Sequence, residues 1–275
     1  MIIWLRIIVL TGCLFVLADW PARAAEAPPP SRKKGIGLIL GPTNGWPEKL
    51  RALNCRWFYS WWFETPVETP ADVEFVPMLW GPGPRTTAAY RQLTAAQRDG
   101  RHQVLLGYNE PDVLEEANLS VEKALQGWPK LLGTGLRLGS PGVAHPERQW
   151  LENFMREAEV RKYRVDFIAV HSYGGDDVQA FLEGLERIHK KFQRPLWITE
   201  LGVADWDARK VSRGCYTPAE VQKFMAAAIP ALEKLDYVER YAWFPAAQKD
   251  RLLGASALFD ETGNLTELGR LYSTF

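Results

Sequence analysis

The sequence predicts an α/β protein of the (β/α)8 TIM barrel class, one domain of eight parallel strands alternating with helices. Three observations carry that expectation. Eight short runs rich in β-branched and aromatic residues recur along the chain, helix-period segments separate most of them, and 275 − 24 = 251 residues remain once a leader is set aside. Runs this apolar belong to strands covered on both faces, which is the condition of a parallel sheet wrapped by helices.

The elements follow in order. The chain opens "MIIWLRIIVLTGCLFVLADWPARAAEAPPPSRKK": Arg6, an apolar run from Ile7 to Leu17, then the small-x-small triplet Ala22-Arg23-Ala24. This is a secretory leader pattern, with cleavage expected after Ala24, because the run is too short and too soon followed by Asp19 and Pro21 to span a bilayer. "LTGC" at Leu10 to Cys13 also resembles a lipoprotein signal, but the apolar run continues past Cys13. The expected place of action is therefore outside the cell or in the periplasm, with no stable membrane insertion after the leader is removed. Residues 25–34, "AEAPPPSRKK", read as an extended Pro-rich linker, and residues 35–275 as the domain.

Within that domain the first strand is "GIGLIL" (35–40), followed by the helical "EKLRALN", and the second is "CRWFYSWW" (55–62). "FETPVETPAD" comes next, and with Pro66 and Pro70 it cannot hold a normal helix. Strand three is "VEFVPMLWG" (73–81), with a helix over "TTAAYRQLTAAQRDG"; strand four is "HQVLLGYNE" (102–110), with a helix over "SVEKALQGWPKLLGTG". Then come "LRLGSPGV" (136–143) and "ERQWLENFMREAEV", "VDFIAVHSY" (165–173) and "DVQAFLEGLERIHKKF", and "PLWITELGV" (195–203) and "TPAEVQKFMAAAIPALEKL". "VERYAWFPA" (238–246) and the terminal "TELGRLYSTF" complete the set. An open doubly wound sheet is the alternative, but no glycine-rich phosphate turn follows "GIGLIL".

Composition excludes several function classes. Lys plus Arg (33) balance Asp plus Glu (33), so nothing suggests nucleic acid. Of three cysteines Cys13 leaves with the leader, and Cys55 with Cys215 are too few for a thiolate metal site or a disulfide scaffold. In a barrel those two lie at opposite ends, too far apart for a bridge, so both thiols are expected to be free. No metal, no other cofactor and no serine elbow at "GSPG" is expected. Trp, by contrast, is abundant at 12 residues, more than a core requires, which hints at a surface that stacks flat ligands.

A barrel keeps its chemistry at the carboxyl ends of its strands. Strand four ends in Asn109-Glu110 and strand seven in Thr199-Glu200, on opposite sides of an eight-strand ring, so the two glutamates would face each other across its mouth. Either alone reads as a capping or arginine-paired carboxylate; together, at matching strand ends, they point to a two-carboxylate site. The other strand tips offer aromatic and polar rings: Tyr59 and Trp61 on one face of strand two, Trp80 on strand three, His171 and Tyr173 on one face of strand six, and Trp243 on strand eight. Such rings suit the C–H face and hydroxyls of a sugar. Trp57, Trp197 and Trp206 read as core.

"GYNEPD", "VHSYG", "PLWITELGV" and "RYAWF", in that order with "VEFVPMLWG" upstream, resemble glycoside hydrolase family 128, the β-1,3-glucanases of the glycosidase clan with catalytic glutamates on strands four and seven. The resemblance runs from Gly35 to Phe275. It implies Glu110 as acid/base, Glu200 as nucleophile, Asn109 as the ligand of the hydroxyl next to the reacting carbon, Tyr173 as a support for Glu200, and Trp243 as the floor of the cleavage subsite. Trp80 would belong to an outer subsite. The sequence departs from the family pattern at Ser172, where a bulky aromatic is expected, and at Leu201, where Phe is. The implied activity is a secreted, monomeric, retaining hydrolase of β-1,3-glucan. A same-clan glycosidase on another β-linked polysaccharide, or a barrel that binds a polysaccharide without cutting it, is the alternative.

Overall fold

The computed structural model describes residues 31–41, 45–83, 86–206 and 216–275. All eight expected strands are present: β1 (Lys34–Gly37), β2 (Trp57–Tyr59), β3 (Glu74–Phe75), β4 (Val104–Leu105), β5 (Arg137–Leu138), β6 (Ile168–Ser172), β7 (Leu196–Leu201) and β8 (Val238–Trp243). They alternate with helices α1 (Trp46–Ala52), α2 (Thr86–Arg98), α3 (Val121–Leu132), α4 (Gln149–Val160), α5 (Val178–Phe192), α6 (Pro218–Lys234) and α7 (Glu267–Ser273). No helix stands between β2 and β3, where the prolines sit. β1 opens at Lys34, one residue before the expected boundary, and its residues are buried from the first.

Side-chain caps start four of the helices. Ser120 accepts from the Lys123 amide, Asp177 from Ala180, and Thr266 from Gly269, each satisfying a donor that the first turn leaves unpaired. Thr217 and Glu220 form a reciprocal capping box at α6.

The pairing is parallel throughout, in the order β3-β2-β1-β8-β7-β6, with β4-β5 as a second pair. Isolated parallel bridges join the two sets, Met78 to Leu106 on one side and Gly139 to Phe167 and Val143 to Val170 on the other. The strands are buried on both faces, as their composition requires. Ile36, Phe58, Ile168, Ile198 and Tyr241 share one outward cluster with helix residues, among them Leu50 of α1, Leu151 of α4 and Val221, Phe224 and Met225 of α6. Their chain neighbours Trp57, Tyr59, Phe167, Ala169, Trp197 and Ala242 meet in a separate cluster.

Strict alternation fails in β7. Ile198 and Leu201 both belong to the outward cluster although they are three apart, and the pairing register with β8 shifts between them. Alternation would send Glu200 outward with Ile198; the irregularity turns it to the other face instead. A second shift, between Val170 and His171, lies directly across from it, where His171 pairs with Glu200.

Trp243 does not floor a subsite. It is fully buried in the outward cluster with Tyr241, its ring centroid lies 6.1 Å from that of Tyr272, and its Nε1 donates to the Ser256 carbonyl at 2.8 Å. The ring that lines the cleft is its neighbour Phe244. Trp243→Ala should therefore act on stability, lowering it by about 4 kcal/mol through the cavity left behind. Chemical denaturation checks this: an unchanged unfolding midpoint would mean the ring does not hold the core.

Cys55 is buried and free, and burial pushes its thiol up to about 12. Cys215 lies outside the described residues, as does the leader. Among the described residues no helix is long and apolar enough to cross a membrane.

Candidate active site

A cleft of about 1450 Å³ opens where the strands end, and Glu110 and Glu200 both line it. Two of the residues that line it have unusual backbone. Glu110 adopts φ +39°, and Trp61, which lines the same cleft, φ +53°; left-handed conformations cost a non-glycine residue roughly 1–2 kcal/mol. Such strain persists only where the surroundings fix it. They do so here: the Glu110 amide donates to the Gly142 carbonyl at 2.7 Å, the Asn109 amide donates to the Trp80 carbonyl at 2.9 Å, and the Asp112 carboxylate accepts from the amides of Ala144 (3.1 Å) and His145 (2.9 Å). Asp112 thus ties the β4 loop to the β5 loop rather than capping the next helix.

Glu200 is buried and surrounded by donors. Trp61 Nε1 donates to its Oε1 at 2.8 Å, the Tyr59 hydroxyl donates to the same oxygen at 3.2 Å, and the Tyr173 hydroxyl donates to Oε2. Burial above all, and then the charge of Glu200, push the Tyr59 and Tyr173 hydroxyls well above the ordinary tyrosine range. Both therefore keep their protons and donate. No arginine or lysine pairs with Glu200 among the described ion pairs, which removes the arginine reading of this residue.

His171 joins the two carboxylates. Its Nδ1 lies 2.7 Å from Glu110 Oε1 and 3.4 Å from Glu200 Oε2. Burial lowers its proton affinity, but the charges of Glu200 and Glu110 and the bond to Glu110 outweigh burial and raise its pKa above that of ordinary imidazole. A side chain at Gly142 would place its Cβ 2.9 Å from His171 Nε2, so the glycine leaves room for the ring. One atom each from Glu110, His171 and Glu200 lie within 4.8 Å of one another, a spacing that would also let the three offer ligands to a cation.

The structure brings Glu110, Glu200, Asn109, Trp61, Trp80, His171 and Tyr173 together at one cleft. Tyr59 is fully buried, so its place is beneath Glu200 and not against a ligand. Trp206, read from the sequence as core, is instead 51% exposed on the cleft wall, its Nε1 donating to the Tyr173 carbonyl at 2.6 Å. Phe244 and Glu116 also line the cleft without having been foreseen. Trp57 and Trp197 are core, as expected.

A family model described as the glycosyl hydrolase catalytic core matches residues 39–272. The chain belongs to that family. Among solved structures, this glycosyl hydrolase is 34% identical to a family 128 (subgroup I) endo-β-1,3-glucanase of Amycolatopsis mediterranei, a variant of which was solved with laminarihexaose; the match covers 88% of this chain and 99% of that one, with a TM-score of 0.75. A subgroup II endo-β-1,3-glucanase of Sorangium cellulosum is 27% identical over 88% and 97% of the two chains, with a TM-score of 0.71. The likeness to family 128 read from the motifs is borne out. A further relative, alkali-sensitive linkage protein 1 of Schizosaccharomyces pombe, is 28% identical over 254 residues. The glycosyl hydrolase spans only 44% of the length of that relative.

Proposed function

We propose that this glycoside hydrolase cleaves β-1,3-glucan with retention of anomeric configuration, from an eight-stranded barrel, and that it acts after export. The closeness of the two glutamates carries the reading. Their nearest oxygens lie within 4.8 Å, and retaining enzymes hold their carboxyl groups about 5–5.5 Å apart, leaving no room for a water between the sugar and the second carboxylate. The substrate class is supported by relatives named as endo-β-1,3-glucanases, one of them solved with a laminari-oligosaccharide. The barrel is supported by the bridges that link β3 to β4 and β5 to β6, and export by the leader pattern.

In the first step Glu200, held by Trp61, Tyr59 and Tyr173, attacks the reacting carbon while Glu110 gives its proton to the departing oxygen. In the second, Glu110 takes a proton from water, which attacks that carbon from the opposite face and returns Glu200 as a carboxylate. Asn109 binds the hydroxyl next to the reacting carbon, and Trp80 stacks on a sugar further along the chain. Incubation with a linear β-1,3-glucan, followed by sizing of the products, tests the substrate assignment. Shortened oligosaccharides from this glucan and none from mannan or xylan are expected; the reverse pattern would move the activity to another β-linked polysaccharide.

A further inference from the structure

We propose that Glu116 is a positioning residue: it fixes which way Asn109 presents its side-chain amide, and through Asn109 it governs the grip on the sugar hydroxyl next to the reacting carbon. The inference rests on the reading of Asn109 given above.

Glu116 stands in the loop that follows Glu110. That loop folds back on itself: the Val113 amide donates to the Glu110 carbonyl at 3.1 Å, Glu116 to Val113 at 3.3 Å, and Leu119 to Pro111 at 2.9 Å, with Asn118 at φ +44°. The fold-back carries Glu116 to the cleft wall, where its Oε2 accepts from Asn109 Nδ2 at 3.2 Å. An amide side chain has two faces that differ only in oxygen and nitrogen, and nothing in its shape selects between them. An ionised carboxylate does select, because it only accepts: turning the Asn109 oxygen toward it would set two acceptors against each other. The other end of the amide agrees. Asn109 Oδ1 is buried with no partner among the described residues, and Nδ2 keeps a second N–H beyond the one given to Glu116, so with the amide held this way both its unpaired acceptor and its unpaired donor are left for a hydroxyl. Burial, and then the charge of Glu110, raise the proton affinity of the Glu116 carboxyl, while the bond from Asn109 works the other way, as it would for a carboxylate held close to the reacting pair.

The test compares two activated aryl β-1,3-linked glucotetraosides, one complete and one lacking the 2-hydroxyl on the sugar that carries the aryl group. Glu116→Ala is expected to lower kcat/KM on the complete substrate by about tenfold, the worth of one hydrogen bond to a developing transition state, mainly through kcat, and to leave the 2-deoxy substrate unchanged. The unchanged substrate then also certifies the fold. Glu116→Gln, whose carbonyl can still accept from Asn109, is expected to keep most of the discrimination. Equal loss on both substrates, no change on either, or a Gln variant as impaired as the Ala variant would overturn the proposal. If the unsubstituted enzyme hydrolysed neither glycoside, the assignment of the substrate would fall instead.

Discussion

Glu200→Gln is expected to reduce hydrolysis of an unactivated β-1,3-glucan by about 1000-fold or more, and Glu110→Gln by a similar factor, with the fold of both variants intact. The first loss follows because an amide is not a competent nucleophile at the reacting carbon, and the second because an amide has no proton to give the departing oxygen. Retention of the fold follows from the donors around Glu200. Trp61 Nε1 can only donate, so the amide oxygen of a glutamine would stay with Trp61 and Tyr59, while its nitrogen turned to Tyr173, whose hydroxyl can rotate to accept. Release of reducing ends measures the activity, and circular dichroism with thermal melting measures the fold. Retention of more than about a tenth of the activity by either variant would remove that carboxylate from the mechanism.

The strand ends read from the sequence carry both glutamates, and the structure brings the two to one cleft, but the sequence could not show how they are aimed. Alternation within a strand says that Tyr59 pairs with Trp61, and the structure has both beneath or beside Glu200. It does not say which of the two faces is the inner one. In β8 the parity is the reverse of the one expected for Trp243: Tyr241 and Trp243 face the helices, while Ala242 lies in the other cluster, and Phe244 continues on its face to the cleft. In β7 alternation would have sent Glu200 outward, and only the register shift between Ile198 and Leu201 brings it in. The left-handed backbone of Trp61 and Glu110 leaves no signal at all in residue type, since neither is a glycine or asparagine. Glu116 and Trp206 lie outside the strands, where no periodicity points to a face; the one available hint for Glu116 was its place in the acidic loop "NEPDVLEEAN" directly after the acid.

Azide should separate the two glutamates by the stereochemistry of what it forms. Replacing Glu200 with Ala empties the space from which the nucleophile attacks, on the face of the sugar opposite the leaving group. Azide is small enough to enter there, and a single displacement by it on a β-linked substrate gives the α-glycosyl azide, inverted. With Glu110→Ala and a substrate whose leaving group needs no proton, Glu200 still forms the glycosyl-enzyme, but water is no longer activated. Azide, which needs no general base, then attacks the intermediate from the leaving-group side and gives the β-glycosyl azide, retained. Rates in both variants should rise with azide concentration, and nuclear magnetic resonance of the products reads the configuration. The unsubstituted enzyme should give a first-formed product of retained configuration, because its two displacements each invert the same carbon. The nearness of Glu110 and Glu200, whose oxygens come within 4.8 Å and both approach His171, is what favours this outcome, since retaining enzymes hold their carboxyl groups closer together than inverting ones do. A first-formed product of inverted configuration would overturn the double displacement and leave a single displacement by water in its place.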